Sequence, residues 1–227
     1  MSSDEADRQP SGAKGTSRHS SPITRYSSLV DWHCHSRWSD GQGSVAGLAR
    51  QAAARGVMLG VSDHGLRDNR RLRTQEQLDA YLRHLQEHDV LRGIEITMGD
   101  LWEGASLDAF DYVIASLHTV RAPDGMVSAV RYLNWRAGIY ASYLPSPVRH
   151  DRRSYFDAWL QALEATARRW PVTILGHFCL LPEHANAQGA YVLGEDPEPD
   201  AEAMAWLDAT IDLCVRHGIA IELNSKS

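Results

Sequence analysis

From Leu29 onward, short apolar runs alternate with stretches of helical period, and each of the first five runs ends at or near an imidazole or a carboxylate. The runs are Leu29–His35, Val57–His64, Val90–Thr97, Asp111–His118, Pro171–His177 and, last, Ile219–Asn224. Between the first two, Ser44 is placed to cap a helix whose Val45, Leu48, Ala49 and Ala52 share one face, with Gly56 as its stop. Thr74-Gln75-Glu76-Gln77 resembles a capping box ahead of Leu78, Tyr81, Leu82 and Leu85. Ser154 starts a helix carrying Ala158, Trp159, Ala162 and Leu163, and another spans Asp200 to His217 before Gly218. Strands alternating with helices imply parallel βαβ units, and near-continuous apolar strands agree, because parallel strands are covered on both faces.

An open doubly wound sheet and a closed barrel both fit that alternation; the polar residues separate them. The strand ends carry His33 and His35, then His64, Glu95, His118 and His177. A parallel barrel gathers such ends into one ring, whereas an open sheet spreads them along a line. The barrel is therefore preferred. Side chains alternate along a strand, so His33 and His35 face one side while Val30, Trp32 and Cys34 face the other. A His-x-His pair alone is a common chance match, and the later strand ends give this one its weight. Asp40 follows in a Ser-Asp-Gly turn from which its carboxylate can fold back over the strand end.

No cysteine joins this set, which argues against a structural zinc site. Histidine and carboxylate donors around an open pocket suit catalytic zinc, manganese or iron. Glu95 is the one carboxylate among these strand-end candidates, and a carboxylate bridges two ions where imidazole does not, so more than one metal is expected.

Composition narrows the class. In 227 residues, 43% hydrophobic and 23% charged content describe a soluble globular domain with a real core, and no apolar run reaches membrane-spanning length. A net charge of -6 without a basic stripe leaves nucleic acid open but not indicated as a partner. Cys34, Cys179 and Cys214 are scattered and odd in number, which suits small core residues in a reducing cytoplasm. Residues 1–26 are rich in Ser, Gly, Arg and Asp and read as a disordered tail, leaving 27–227 as one domain. His84, His88, His150, His184 and His217 lie on helices or loops, where solvated or packing roles are the default. Arg121 leads an arginine-bearing connection from Thr119 to Arg153 and is the first candidate for a phosphate clamp. Trp38 is placed to line the pocket beside Asp40, and Asn224 to orient substrate or a ligand, while Trp32 and Trp159 read as core.

Asp31-Trp-His33-Cys-His35-Ser, Ser62-Asp-His64-Gly, Gly93-Ile-Glu95, Ser116-Leu-His118 and Gly176-His177 resemble the successive motifs of the PHP (polymerase and histidinol phosphatase) family. The resemblance implies a distorted (β/α)7 barrel, two to three divalent ions (Zn, Mn or Fe) and phosphoester hydrolysis. It assigns His33, His35 and Glu95 to a first metal and has Glu95 bridge to a second held by His118 and His177. Asp40 and His64 belong to a third. The family pattern closes with a further helix and a strand bearing Ser-Asp-Ala-His, which this sequence lacks after Ile221-Glu222-Leu223-Asn224-Ser225. The barrel is accordingly expected without its last helix and strand.

The function this implies is hydrolysis of a small phosphomonoester, histidinol-phosphatase-like, by a metal-activated hydroxide, with Glu95, His118 and His177 at the catalytic centre. The alternatives are a nucleotide or oligonucleotide phosphodiesterase and a non-catalytic metal-binding remnant. Oligomeric state is not set by these features.

Overall fold

The computed structural model of the chain describes residues 29–121, 127–129, 152–178 and 201–223. Its main sheet has six strands, all parallel: β1 (Val30–Asp31), β2 (Met58–Val61), β3 (Leu91–Thr97), β4 (Tyr112–Ser116), β7 (Ile174–Gly176) and β8 (Ala220–Ile221), in the order β1-β2-β3-β4-β7-β8. Helices α1 (Val45–Ala54), α2 (Gln75–Gln86), α3 (Arg152–Arg169) and α4 (Ala201–His217) occupy the connections, with a 3-10 turn at Leu66–Asp68. All six expected runs are present, each shorter than its apolar stretch.

Local chemistry accounts for the helix starts. The Ser44 side chain accepts from Gly47 N, and Thr74 and Gln77 form a complete capping box at the head of α2. Gly56 and Gly218 follow α1 and α4 at φ +67°, a left-handed conformation that glycine adopts at little cost.

The register assigns the two faces of the sheet. Glu95 lies opposite Ile114 and Thr97 opposite Ser116, and Ser116 lies opposite Gly176 in β7. Period-two alternation puts these residues on the concave side. Ile94, Ile96, Val113, Ala115 and Leu175 face outward into the core shared with the helices. In that core Phe156 stacks on Trp206 at 5.0 Å, and buried Trp159 meets the same ring edge-on at 4.9 Å, locking α3 to α4. Burying each such side chain stabilises the fold by roughly 2–3 kcal/mol.

The sheet is curled into a half-barrel. β1 and β8 are its two edges, yet His33 Nδ1, just past β1, is 3.0 Å from Glu222 Oε1, just past β8. The carboxyl ends therefore converge, as the strand-end chemistry required, across a seam joined by side chains.

Several expectations are corrected. Trp32 is 41% exposed, because β1 ends at Asp31 and the edge strand leaves that ring covered mainly by an edge-on contact with Tyr112. The connection after His118 contains an antiparallel pair, β5 (Thr119–Arg121) and β6 (Val127–Ala129), which a reading based on parallel units did not anticipate. The proposed tail, Asn224, Cys179, His150, His184 and the Gln188–Pro199 stretch lie outside the described residues. No described helix is long and apolar enough to cross a membrane.

Candidate metal centre

Glu95 enters the concave side from the middle of the sheet and is fully buried. Five imidazoles surround its carboxylate. On Oε1 they are His33 Nε2 at 3.2 Å, His118 Nε2 at 3.3 Å and His177 Nε2 at 3.2 Å. On Oε2 they are His35 Nε2 at 3.1 Å and His64 Nδ1 at 2.9 Å. The elements explain the meeting. His33 and His35 lie beyond β1, but Ser62 N donates to Cys34 O, so this segment stays extended beside β2 and both rings reach the same carboxylate. His64 forms an isolated parallel bridge with Glu95 itself. His118 follows β4 by two residues, and His177 follows β7 directly at φ +27°, a conformation few non-glycine residues adopt.

Three of the five rings are held from behind by a second carboxylate. His35 Nδ1 is 2.7 Å from Asp40 Oδ1, His118 Nδ1 is 2.8 Å from Asp68 Oδ2, and His33 Nδ1 is 3.0 Å from Glu222 Oε1. Each carboxylate takes the Nδ1 face and turns Nε2 toward Glu95, the arrangement that orients imidazole ligands around a metal. Thr97 Oγ1 adds a contact of 2.8 Å to His118 Nδ1 and donates to Asp68. The second oxygen of Glu222 accepts from His177 N at 2.7 Å, so one side chain steadies two of the rings.

The charges follow. Burial disfavours an ionised Glu95, but the imidazoles of His64 and His118 outweigh it and hold the carboxyl well below its ordinary range. Burial likewise opposes charge on His33, His35 and His118. Their paired carboxylates prevail, and the rings are pushed up to about 10, about 9 and about 10. His177 is lowered, first by burial and then by the neighbouring His118 and His33, despite its hydrogen bond to Glu95. The hydrogen bond to His35 holds Asp40 far below the usual carboxylate value.

This donor set fits divalent ions. Among the buried side-chain atoms, Glu95 Oε2, His64 Nδ1 and His118 Nε2 have no hydrogen bond of acceptable geometry, although nitrogen and oxygen face each other at about 3 Å. Two donors bound tetrahedrally to one ion at about 2.1 Å stand about 3.4 Å apart, close to these separations. Three overlapping groups bring their ligand atoms within 4.8 Å of one another: His33-His35-Glu95, His35-Asp40-His64 and His64-Glu95-His118. The first coincides with the first metal set inferred from the sequence. The second joins His35 to the Asp40–His64 pair, and the third brings His64 beside the second set. Asp40 Oδ1 is nearer to His35 Nδ1 than to His64 Nε2, at 2.7 against 3.8 Å.

A second buried network positions the segment bearing His35 and Asp40. The Asp63 carboxylate accepts from Ser36 N (2.8 Å), Ser36 Oγ (2.7 Å), Ser39 N (3.1 Å), Ser39 Oγ (2.6 Å) and Tyr81 OH (2.9 Å). Burial, then the Asp63 charge, pushes the Tyr81 hydroxyl well up, so it remains a donor. Gly41 closes the turn with its amide on Ser36 O at 2.9 Å, and a Cβ there would collide with the His35 carbonyl.

Trp38 packs against Tyr81 at 5.4 Å and His84 at 5.5 Å between ring centroids. Arg121 ends β5, three residues beyond His118. Asp63, Asp68 and Glu222 were not among the residues expected at the site. For Glu222 the signal was present: it is a titratable residue at a strand end, like the other five positions, on the one strand thought to lack such a group.

Comparison with known proteins gives the family. A probable histidinol-phosphatase of Thermotoga maritima is 26% identical over 92 residues, a stretch covering 40% of this chain and 40% of that protein. No solved structure matches. The PHP domain profile matches residues 31–226, which span every strand end described above. The chain is a member of the PHP domain family.

Proposed function

We propose that the chain is a metal-dependent phosphoesterase acting on a small phosphomonoester. The observation that carries this reading is the convergence of five imidazoles on one buried carboxylate, with Nε2 turned inward on four of them. His33, His35 and Glu95 would hold one ion, Glu95 with His118 and His177 a second, and Asp40 and His64 a third, drawn from Zn, Mn or Fe. Bound ions would supply Lewis acidity toward the phosphoryl oxygens and lower the pKa of water.

The chain's own residues prepare the site. Asp40, Asp68 and Glu222 fix three ring orientations, so the donors would meet an ion without rearrangement. Attack of water on phosphorus breaks the ester P–O bond and releases an alcohol and phosphate, so no protein nucleophile is required. Glu95, His118 and His177 form the buried back of the site, while Asp40 and His64 stand at its more open edge. Arg121, Trp38 and Asn224 are the proposed substrate contacts. A distorted barrel of the (β/α)7 type, a single domain over 27–227 and a cytoplasmic setting belong to the same reading.

The test is metal analysis together with a phosphoester panel of monoesters, nucleotides and oligonucleotides. Metal-dependent turnover of a small monoester is expected, abolished by chelator and reduced on the order of 10²-fold or more in Glu95→Gln and His177→Ala. Activity that survives both substitutions sinks the assignment. Preferential cleavage of oligonucleotides would favour the phosphodiesterase reading, and metal retention without turnover the non-catalytic one.

A further inference from the structure

We propose that the C-terminal turn of α2 carries a second cation site, formed by His84, Glu87 and His88 and suited to Zn2+, Ni2+ or Cu2+. The spacing places all three on one helix face, since residues three and four apart are neighbours. The helical path persists past Gln86. Glu87, the C-cap, has φ -72° and ψ -7°, its amide donates to His84 O at 3.3 Å, and His88 N donates to Leu85 O at 3.1 Å. His88 is thereby held one turn from His84, with ring centroids 5.2 Å apart and planes at 85°. Glu87 Oε2 lies 3.5 Å from His84 Nδ1, and one ligand atom from each residue falls within 4.8 Å of the others.

Two further observations favour a cation there. His88 Nε2 is buried without a hydrogen-bond partner in the structure, a state that ordinarily costs about 1–3 kcal/mol and leaves the ring with binding capacity the protein does not use. The negative end of the α2 dipole also faces this turn and favours positive charge. Two imidazoles and one carboxylate suit borderline metals.

The site is separate from the Glu95 centre, and Trp38 is a ring that touches it from the neighbouring turn. Trp38 lies 5.5 Å from His84 and belongs to the same turn as His35 and Asp40. Its fluorescence is therefore the natural probe.

Ni2+ and Cu2+ are titrated into the full chain, with bound equivalents counted by equilibrium dialysis and tryptophan quenching followed in parallel. Five proteins are compared: wild type, Glu95→Gln, the double variant His84→Gln/His88→Gln, Glu87→Lys and Trp38→Phe. Glu87 is 68% exposed, so its replacement does not threaten folding. The expected result is one equivalent that Glu95→Gln leaves in place and that is weakened at least tenfold in both the double variant and Glu87→Lys, with Trp38→Phe removing the associated quenching. Equal equivalents and affinities in wild type, the double variant and Glu87→Lys would overturn the proposal. Neither result depends on whether the chain hydrolyses phosphoesters.

Discussion

Among the described residues stand two clusters of histidine with glutamate, and they differ in how they are built. Around Glu95 the donors come from the ends of five strands, lie in the interior and are mostly tied at their rear nitrogen. At the end of α2 they come from five consecutive residues of one helical turn, and Glu87 stands in solvent. The first arrangement needs the whole fold to exist, and the fold in turn fixes its geometry. The second needs a single helix and is fixed by little else. Preorganisation, more than donor identity, separates a site fit for catalysis from one fit for reversible binding.

The largest effect that would separate them is on stability. Asp63→Ala strands five donors in the interior and is expected to cost about 3–5 kcal/mol, read from urea unfolding of the metal-free chain. Glu87→Ala in the same assay should stay within about 0.5 kcal/mol. Similar losses for the two would remove the distinction drawn here. Next in size is Asp68→Asn, which takes the anionic partner from His118 while keeping the shape. It should weaken metal retention by about 10–100-fold in chelator competition and also lower the metal-free melting temperature, because buried His118 loses a charged partner. Unaltered retention would mean that Asp68 only packs against the ring. The smallest is a control at the other end of β3, where Arg92 pairs with half-exposed Asp111 at 2.6 Å. Burial opposes ionisation of Asp111, but Arg92 lowers its pKa, so its contribution is present above the unfolded carboxyl's value and lost as pH falls through the folded one. Solvent screening limits it to about 0.5–1 kcal/mol, and Asp111→Asn should erase that much at pH 7 and progressively less as pH falls through the folded carboxyl's value.

Much of the centre could be read from the sequence because it obeys one rule: in a parallel, inward-curling sheet, residues at the carboxyl ends of strands meet. His33, His35, His64, Glu95, His118 and His177 all follow it. Asp68 does not. It lies in a 3-10 turn with no hydrophobic period, and only the tertiary path brings it to a histidine 50 residues away. Asp63 was hidden differently: it sits inside the strand-end motif, but its side chain turns toward Ser36, Ser39 and Tyr81. The β5–β6 pair escaped because each strand is only three residues long. His84 and His88 looked like ordinary surface histidines because periodicity reports the buried face of α2 and says nothing of chemistry on the other.

The Glu222 contact also bears on the order of events during folding. Its partner His33 is 189 residues distant, the longest loop among the contacts of the centre, and closing such a loop is slow and entropically unfavourable. Helix α1 and the Glu95–His64 bridge join near neighbours and are positioned to form early. The rear support of His33 and the amide clamp on His177 arrive only when β8 docks. The metal centre is thus expected to reach its final geometry late in folding, and a chain whose last strand has not docked to release ions faster than the native one.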